Sequence, residues 1–392
     1  MNKKLGLAVA GALVAFASTA NAGITIPAGD WTVDLGGNVN AFYTHTSGGG
    51  AMARNTVQTG LLPSAIGIGA KTRQNDLDVA VQFTFFVGAD SGTGNGAASS
   101  PGNHSGGSNQ INIRQAYASF GDASWGTIKF GRDLGIFGSD AILSDMTLLG
   151  VGNAAGAGGS STLGRIGSGY MYADWIGQIA YTSPNWNGFQ VSGAVTEGWA
   201  NGTSELNADV SNSNNGFQGK ATYDFAANDV TGRVWVSGIF QKHEAVAGLA
   251  TGLGTQYDSK GFDIGAKASY QGASVVAYYY DGEGLSGAHS AVNGLLFRQG
   301  TKTQDSGGYV QGTFTIPGVG TKLGASWGES FSTAANETTE FKNESWIVGA
   351  YHPLTKSVNL VAEYTDQKLE NQDGAAANVK NKTVSLGAIL FF

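Results

Sequence analysis

Few residues in this chain could do covalent or redox chemistry. There is no Cys, and His45, His104, His243, His289 and His352 stand far apart. None has a second His or a Cys at ligand spacing, which argues against a metal site. No Gly-x-Ser-x-Gly turn occurs, and no Ser, His and Asp set marks a hydrolase. Gly150-Val151-Gly152-Asn153-Ala154-Ala155 matches the dinucleotide fingerprint G-x-G-x-x-A, but such a site needs a helix after the turn. Gly156-Ala157-Gly158-Gly159-Ser160-Ser161 follows instead and cannot open one, so a Gly-rich loop is expected there. Asp209, Asp258 and Glu283 could hold Ca²⁺ only weakly, and solvated carboxylates are the simpler account. The expectation is a protein without catalysis, cofactor, metal or nucleic-acid partner.

What remains is fixed charge. Between positions 133 and 175, Asp133, Asp140, Asp145 and Asp174 stand against one base, Arg165. Lys71, Arg114, Lys129 and Arg132 lie outside that interval or at its edge, in segments of alternating polarity. Such groups act on ions and polar solutes only if a scaffold arranges them around a confined space.

Composition restricts that scaffold. The chain has 392 residues, with 62 Gly, 6 Pro, 13% charged and 41% hydrophobic residues, at a mean hydropathy of -0.09. Soluble domains carry about a quarter charged residues, so the charge is roughly halved here while hydropathy stays near neutral. Abundant Gly weakens helices, and without a strict third-residue period it cannot form collagen. Lys3 and Lys4, an apolar run from Leu5 to Ala17 and the small site Ala20-Asn21-Ala22 form the pattern of a secretory signal over residues 1–22. Loss of Lys3 and Lys4 with the leader takes the net charge from -7 to -9. Residues 23–392 contain no apolar run of the roughly 18 residues that a spanning helix needs.

Periodicity supplies the rest. From Leu77 to Val87 large apolar residues alternate with small or polar ones, and Phe217 to Phe225 and Phe262 to Tyr270 do the same. The polar faces are sparse and Gly-rich, as on a wall that lines a lumen while its other face meets lipid. Strands are predicted at 30–46, 63–71, 76–88, 110–121, 126–132, 176–183, 188–198, 216–226, 229–242, 260–271, 273–281, 306–316, 319–328, 344–352, 356–366 and 380–392. That even count closes an all-β, 16-stranded antiparallel transmembrane barrel. Connections alternate short and long, the pattern of periplasmic turns and outer loops, and the longest is the third outer loop, 133–175. By parity Phe42, Phe86 and Tyr278 face the lumen, where aromatics could guide sugars; Tyr43, Trp186, Tyr223, Tyr279, Trp327 and Tyr364 suit interfacial girdles. The last strand ends Val384, Leu386, Ala388, Leu390, Phe392 on its outward face, resembling the terminal strand by which bacterial outer-membrane barrels are recognised for insertion.

Asn112-Ile113-Arg114-Gln115-Ala116-Tyr117 and Gly126-Thr127-Ile128-Lys129-Phe130-Gly131-Arg132 resemble the fourth and fifth strands of the Gram-negative general porins. Tyr181-Thr182-Ser183-Pro184-Asn185-Trp186-Asn187-Gly188-Phe189 is similar to the Y-x-S-P-x-F-x-G-F hairpin of the proteobacterial branch. The resemblance implies a homotrimer in the outer membrane, in contact with lipid and lipopolysaccharide, each barrel folding its third loop inward as a constriction. It implies passive passage of ions and small hydrophilic solutes. It places Asp140 and Asp145 on the loop opposite wall bases, of which Arg114 is the best match and Arg132 the second, with Lys71 and Lys129 also on the lumen wall. Two family bases are replaced by Ala65 and Asn38, and the loop's acidic P-E-F-G-G run is replaced by Leu134-Gly135-Ile136-Phe137-Gly138-Ser139-Asp140. With the acidic net charge, these departures imply a weak cation preference. The rival readings are a substrate-specific porin and a structural or adhesive surface barrel plugged by its loops.

Overall fold

Strict alternation of apolar and polar side chains suits a sheet with one face in lipid, and only a closed sheet leaves no unpaired edge there. The computed structural model describes residues 23–48, 54–89, 111–154, 161–198, 210–211, 214–245, 257–285, 302–334, 340–371 and 378–392. They form a closed 16-strand antiparallel barrel. Its staves are β1 (Trp31–Gly48), β2 (Ser64–Gln74), β3 (Leu77–Val87), β4 (Asn112–Asp122), β5 (Gly126–Leu134), β6 (Trp175–Thr182), β7 (Phe189–Thr196) and β8 (Gly216–Ala227). They continue as β9 (Val230–Ala245), β10 (Tyr257–Tyr270), β11 (Ala273–Glu283), β12 (Thr303–Thr315), β13 (Lys322–Ala334), β14 (Glu340–Pro353), β15 (Val358–Asn371) and β16 (Val379–Phe391). Each pairs with its neighbour, and β16 closes on β1 with Phe391 opposite Asn38.

Short turns join β2 to β3 through Asn75 and Asp76 and β10 to β11 through Gln271 and Gly272. All four have positive φ (48°, 63°, 45° and 88°), the two-residue hairpin geometry that matches strand twist. Along β9, Val234 and Val236 are exposed on the lipid side while Trp235 between them is buried in the lumen. The buried clusters likewise lie inside the barrel, where wall side chains meet the third loop.

Three short strands were not expected. Ile24–Ala28 pairs with the first part of β1, and Arg54–Gln58 pairs with Phe42 to Thr46, extending the second stave past a break. Val210–Ser211 pairs with the end of β9. The largest boundary difference is in β13, which begins at Lys322 and runs on to Ala334 because β12 and β14 offer partners over that whole length. The proposed leader, residues 1–22, lies outside the described residues, as do parts of the long outer loops.

Candidate functional site: a loop folded across the barrel lumen

The third long connection leaves β5 and turns inward, its base closed by Gly135 N–H donating to Asp174 O at 2.8 Å. The polar groups of a loop inside a barrel need partners, and the wall supplies them. Gln218 Oε1 on β8 accepts Ile136 N (2.6 Å) and Phe137 N (2.8 Å), and Asp263 Oδ2 on β10 accepts Gly138 N (3.0 Å). Gly138 has φ 74° and starts a short helix, α1 (Ser139–Ser144), whose Ala141 carbonyl accepts Tyr309 Oη at 2.9 Å. Gln311 takes Met146 N (2.7 Å) and gives to Ser144 O (3.0 Å). A 3₁₀ turn, Met146–Leu149, follows, and Glu363 on β15 then accepts Val151 N (2.8 Å) and Gly152 N (2.7 Å). The loop returns through Arg165, fully buried, which donates to Ser326, Ser168 O and Ser345. Burial pulls its guanidinium pKa down to about 10, against the raising effect of Asp145, so it stays charged at neutral pH. The loop is thus tied to strands on several sides of the lumen.

Two loop acids have different jobs. The Asp140 side chain is 6% exposed and bridges Lys220 Nζ (2.6 Å) on β8 and Arg233 Nη1 (3.0 Å) on β9. Burial opposes its charge, but Lys220 and Arg233 outweigh burial and hold its pKa below the ordinary value. Asp145 accepts Thr147 N (2.9 Å), Arg165 N (3.2 Å) and Tyr170 Oη (2.8 Å), so it pins the loop's own turns.

The sequence matches the family of Gram-negative porins over residues 8–372. The chain belongs to that family. Comparison with curated proteins gives no match. Among solved structures, the outer membrane channel DcaP of Acinetobacter baumannii is similar at 17% identity with a TM-score of 0.64, covering 95% of this chain and 100% of its own. The anion-selective porin from Comamonas acidovorans is similar at 16% identity with a TM-score of 0.61, covering 92% and 100%. OmpF of Salmonella typhi, in complex with daunomycin, gives 16% identity and a TM-score of 0.61 over 94% and 100%. At such identities these likenesses establish the fold. The family makes this an outer-membrane channel protein of a Gram-negative cell.

In this porin Arg114 sits at a β-bulge, because Thr84 pairs with Gln115 while Phe85 pairs with Ile113. Arg114 and Gln115 are therefore both buried in succession, and the Arg114 guanidinium lies 5.0 Å from the Phe86 ring centroid. Arg132 shares the register of Ala116 and lies 3.7 Å from Glu197 at the outer end of the wall. The structure therefore brings neither Arg132 nor Arg114 to Asp140, whose partners are Lys220 and Arg233. Lys129 meets Asp133, which also accepts Gln115 Nε2 at 2.9 Å. Lys71 pairs with Asp34 at 2.7 Å near the short turns. Asn38 and Ala65, the two neutral positions, are direct cross-strand partners. Asn38 is held by Asn40 (3.0 Å), and Ala65 packs beside Leu62, Phe86, Ile389 and Phe391.

Asp174 has φ 54° and is 1% exposed. Burial raises its pKa to about 6, against the N–H of Trp175 and the charges of Arg114 and Arg132. Phe42, Phe86 and Tyr278 do face inward, but each is buried. Phe42 packs with Met146 and Val151, Phe86 lies 5.8 Å from Trp175, and Tyr278 lies 5.8 Å from Tyr309. They support the loop and form no open aromatic track. The Gly150 to Ala154 stretch is loop, bridged at Gly152 and Asn153 to Gly164.

Arg233 was not singled out by sequence reasoning, although a signal existed. A two-residue turn between β8 and β9 puts Arg233 directly opposite Asp224, and its Nε lies 2.6 Å from Asp224 Oδ1. Gln218, Asp263, Gln311 and Glu363 were missed because any inward polar residue reads alike until the loop is placed against it.

Proposed function

We propose that this porin is a passive channel for ions and small hydrophilic solutes, with the third loop as its constriction and a weak cation preference. One observation carries the reading: the loop lies inside the closed barrel, held by Gln218, Asp263, Gln311 and Glu363 and charged by the Asp140 cluster. A plug needs no charged array at its contact with the wall, whereas a narrow aqueous path acts on ions through such fixed charges. Bases near the loop offset its acids and keep the preference small, while the net charge, -9 once the proposed leader is lost, gives its sign. The anion selectivity of the Comamonas acidovorans porin belongs to that protein and is not carried over by a likeness of fold.

Three barrels are proposed to associate, burying part of the outward apolar band among themselves, with lipopolysaccharide around the outer rim. OmpT of Vibrio cholerae, similar in fold at 15% identity with a TM-score of 0.57, is described in a trimer form. Planar-bilayer recording across a KCl gradient tests the channel reading. Stepwise conductance with a reversal potential slightly on the cation side is expected. No conductance would leave a plugged surface barrel, and a reversal potential on the anion side would overturn the preference.

A further inference from the structure

Towards the long loops, the outward wall of β15, β16 and β1 departs from its apolar pattern. Tyr364 on β15, Val384 and Leu386 on β16 and Tyr43 on β1 are exposed on the lipid side. The two-residue period puts Lys368, Lys380, Lys382 and His45 on that same side, close to the loop ends of their strands. Lys380 is the direct cross-strand partner of Lys368, and Lys382 follows two residues along the same face, so the register itself gathers three bases. Like charges placed opposite each other destabilise a sheet unless something answers them. Two acids do so in part: Glu370 pairs with Lys368, and Asp366 lies 3.7 Å from Lys380. Glu344, opposite Lys368 on β14, is taken by Lys342 and Trp327. Among the described residues, Lys382 has no carboxylate within ion-pair distance.

A hydrogen-bonding group adjoins the bases. Across the seam between β16 and β1, Lys382 pairs with Ser47 and Val384 with His45. Tyr43 Oη donates to Asn55 Oδ1 at 2.8 Å, and His45 Nδ1 lies 2.8 Å from the same oxygen. Among the described residues this leaves Asn55 Nδ2 to donate and His45 Nε2 to accept. A sugar hydroxyl can do both in return. Towards the short turns the face becomes apolar, with Val57, Val384 and Leu386 exposed. A neighbouring barrel seated here would have to take the unpaired Lys382 out of water, which is costly unless an acid meets it.

We propose that this face binds a phosphorylated glycolipid of the outer leaflet. Its phosphate lies on Lys368, Lys380 and Lys382, a sugar hydroxyl on Asn55 and His45, and its acyl chains along Val57, Val384 and Leu386. The site rests on the lipopolysaccharide contact proposed above, to which it gives residues. Native mass measurement of the detergent-extracted full chain tests it, with diphosphoryl lipid A, dephosphorylated lipid A and phosphatidic acid titrated in turn. Diphosphoryl lipid A should bind saturably, and the other two several-fold more weakly.

Lys380→Gln and Lys382→Gln should each raise the dissociation constant for diphosphoryl lipid A about five-fold, the scale of one base at a charged membrane surface, while Lys382→Arg keeps the affinity. Asn55→Ala should weaken lipid A and leave phosphatidic acid unchanged, which attraction by charge alone would not do. Equal binding of the three lipids, or an unchanged constant in both Gln variants, would overturn the proposal. The same spectra count barrels per particle, so loss of association without loss of lipid in the Gln variants would make this face a contact between copies and overturn it too. A wild type that binds diphosphoryl lipid A with no effect of any variant overturns this site alone. One that binds none overturns the lipopolysaccharide contact with it.

Discussion

Asp140→Asn removes one charge from the point where the third loop meets the wall and changes little in shape. Lys220 and Arg233 then face each other without their shared acid, although Arg233 keeps Asp224. Breaking a fully buried pair costs about 3–5 kcal/mol, but the Lys220 and Arg233 side chains are 19% and 39% exposed, so water screens both. A loss of about 1–2 kcal/mol follows, small enough for the barrel to assemble.

The larger effect is on permeating ions. A unit charge acting over about 10 Å through an aqueous path is worth about 0.4 kcal/mol, and 0.1 M salt reduces that to about 0.15 kcal/mol. Cations lose and anions gain, so the permeability ratio should move towards anions by about four-fold in dilute salt and about two-fold at 0.1 M. Reversal potentials of Asp140→Asn and wild type, recorded in planar bilayers at several salt concentrations, measure this directly. Arg114→Ala should move the ratio the opposite way. A reversal potential in Asp140→Asn equal to wild type at low salt would remove Asp140 from the ion path and refute the reasoning.

Phe392→Ala should lower the yield of assembled barrel in the outer membrane without altering the conductance of those that form, since the Phe392 ring, which continues the outward series of exposed Leu386 and Leu390, lies against Gly37 at the closing seam, while the backbone bonds to Gly37 (2.9 and 3.0 Å) are kept. Gly37→Ala should obstruct the same seam, because a Cβ there falls 2.3 Å from Ala65 O and 2.8 Å from the Phe392 ring, and refolding yield reads the loss. Asp174 takes up its proton more readily folded than unfolded, as its pKa rises from 3.8 to about 6. Its contribution to stability is therefore greatest below about pH 4 and is lost as pH rises through 6; thermal melts should show Asp174→Asn flattening that part of the wild-type profile. Asp145→Asn should lower the melting temperature more than Asp140→Asn, because Asp145 is 4% exposed and holds three donors of the loop itself. Detergent-extracted protein should sediment as a heat-resistant trimer, and monomers alone in mild detergent would contradict that assembly.

What could be read in the sequence, and what could not, follows from the range of the forces involved. Lipid on one side and water on the other impose a two-residue period, so each stave announces itself locally, and β3 and β16 are nearly where the alternation puts them. Ile24–Ala28 escaped because five residues with Pro27 among them make too short a pattern. The site depends on contacts of another order: Gly138 meets Asp263, and Val151 meets Glu363, across more than a hundred residues of chain. Nothing near either partner marks the other.

Arg114 shows the same division at a single position. Strict alternation would send it and Gln115 to opposite faces, whereas the bulge between Thr84 and Phe85 turns both inward. Arg233 is the converse case. Its pairing with Asp224 was available from the hairpin register, but its link to Asp140 required knowing that the loop turns inward and where α1 lands. A porin wall is thus legible from local polarity, while the charges that meet a solute are set by where one long loop finds its hydrogen-bond partners. Tests of selectivity therefore belong on the residues joined to that loop, and the net charge of the chain alone does not identify them.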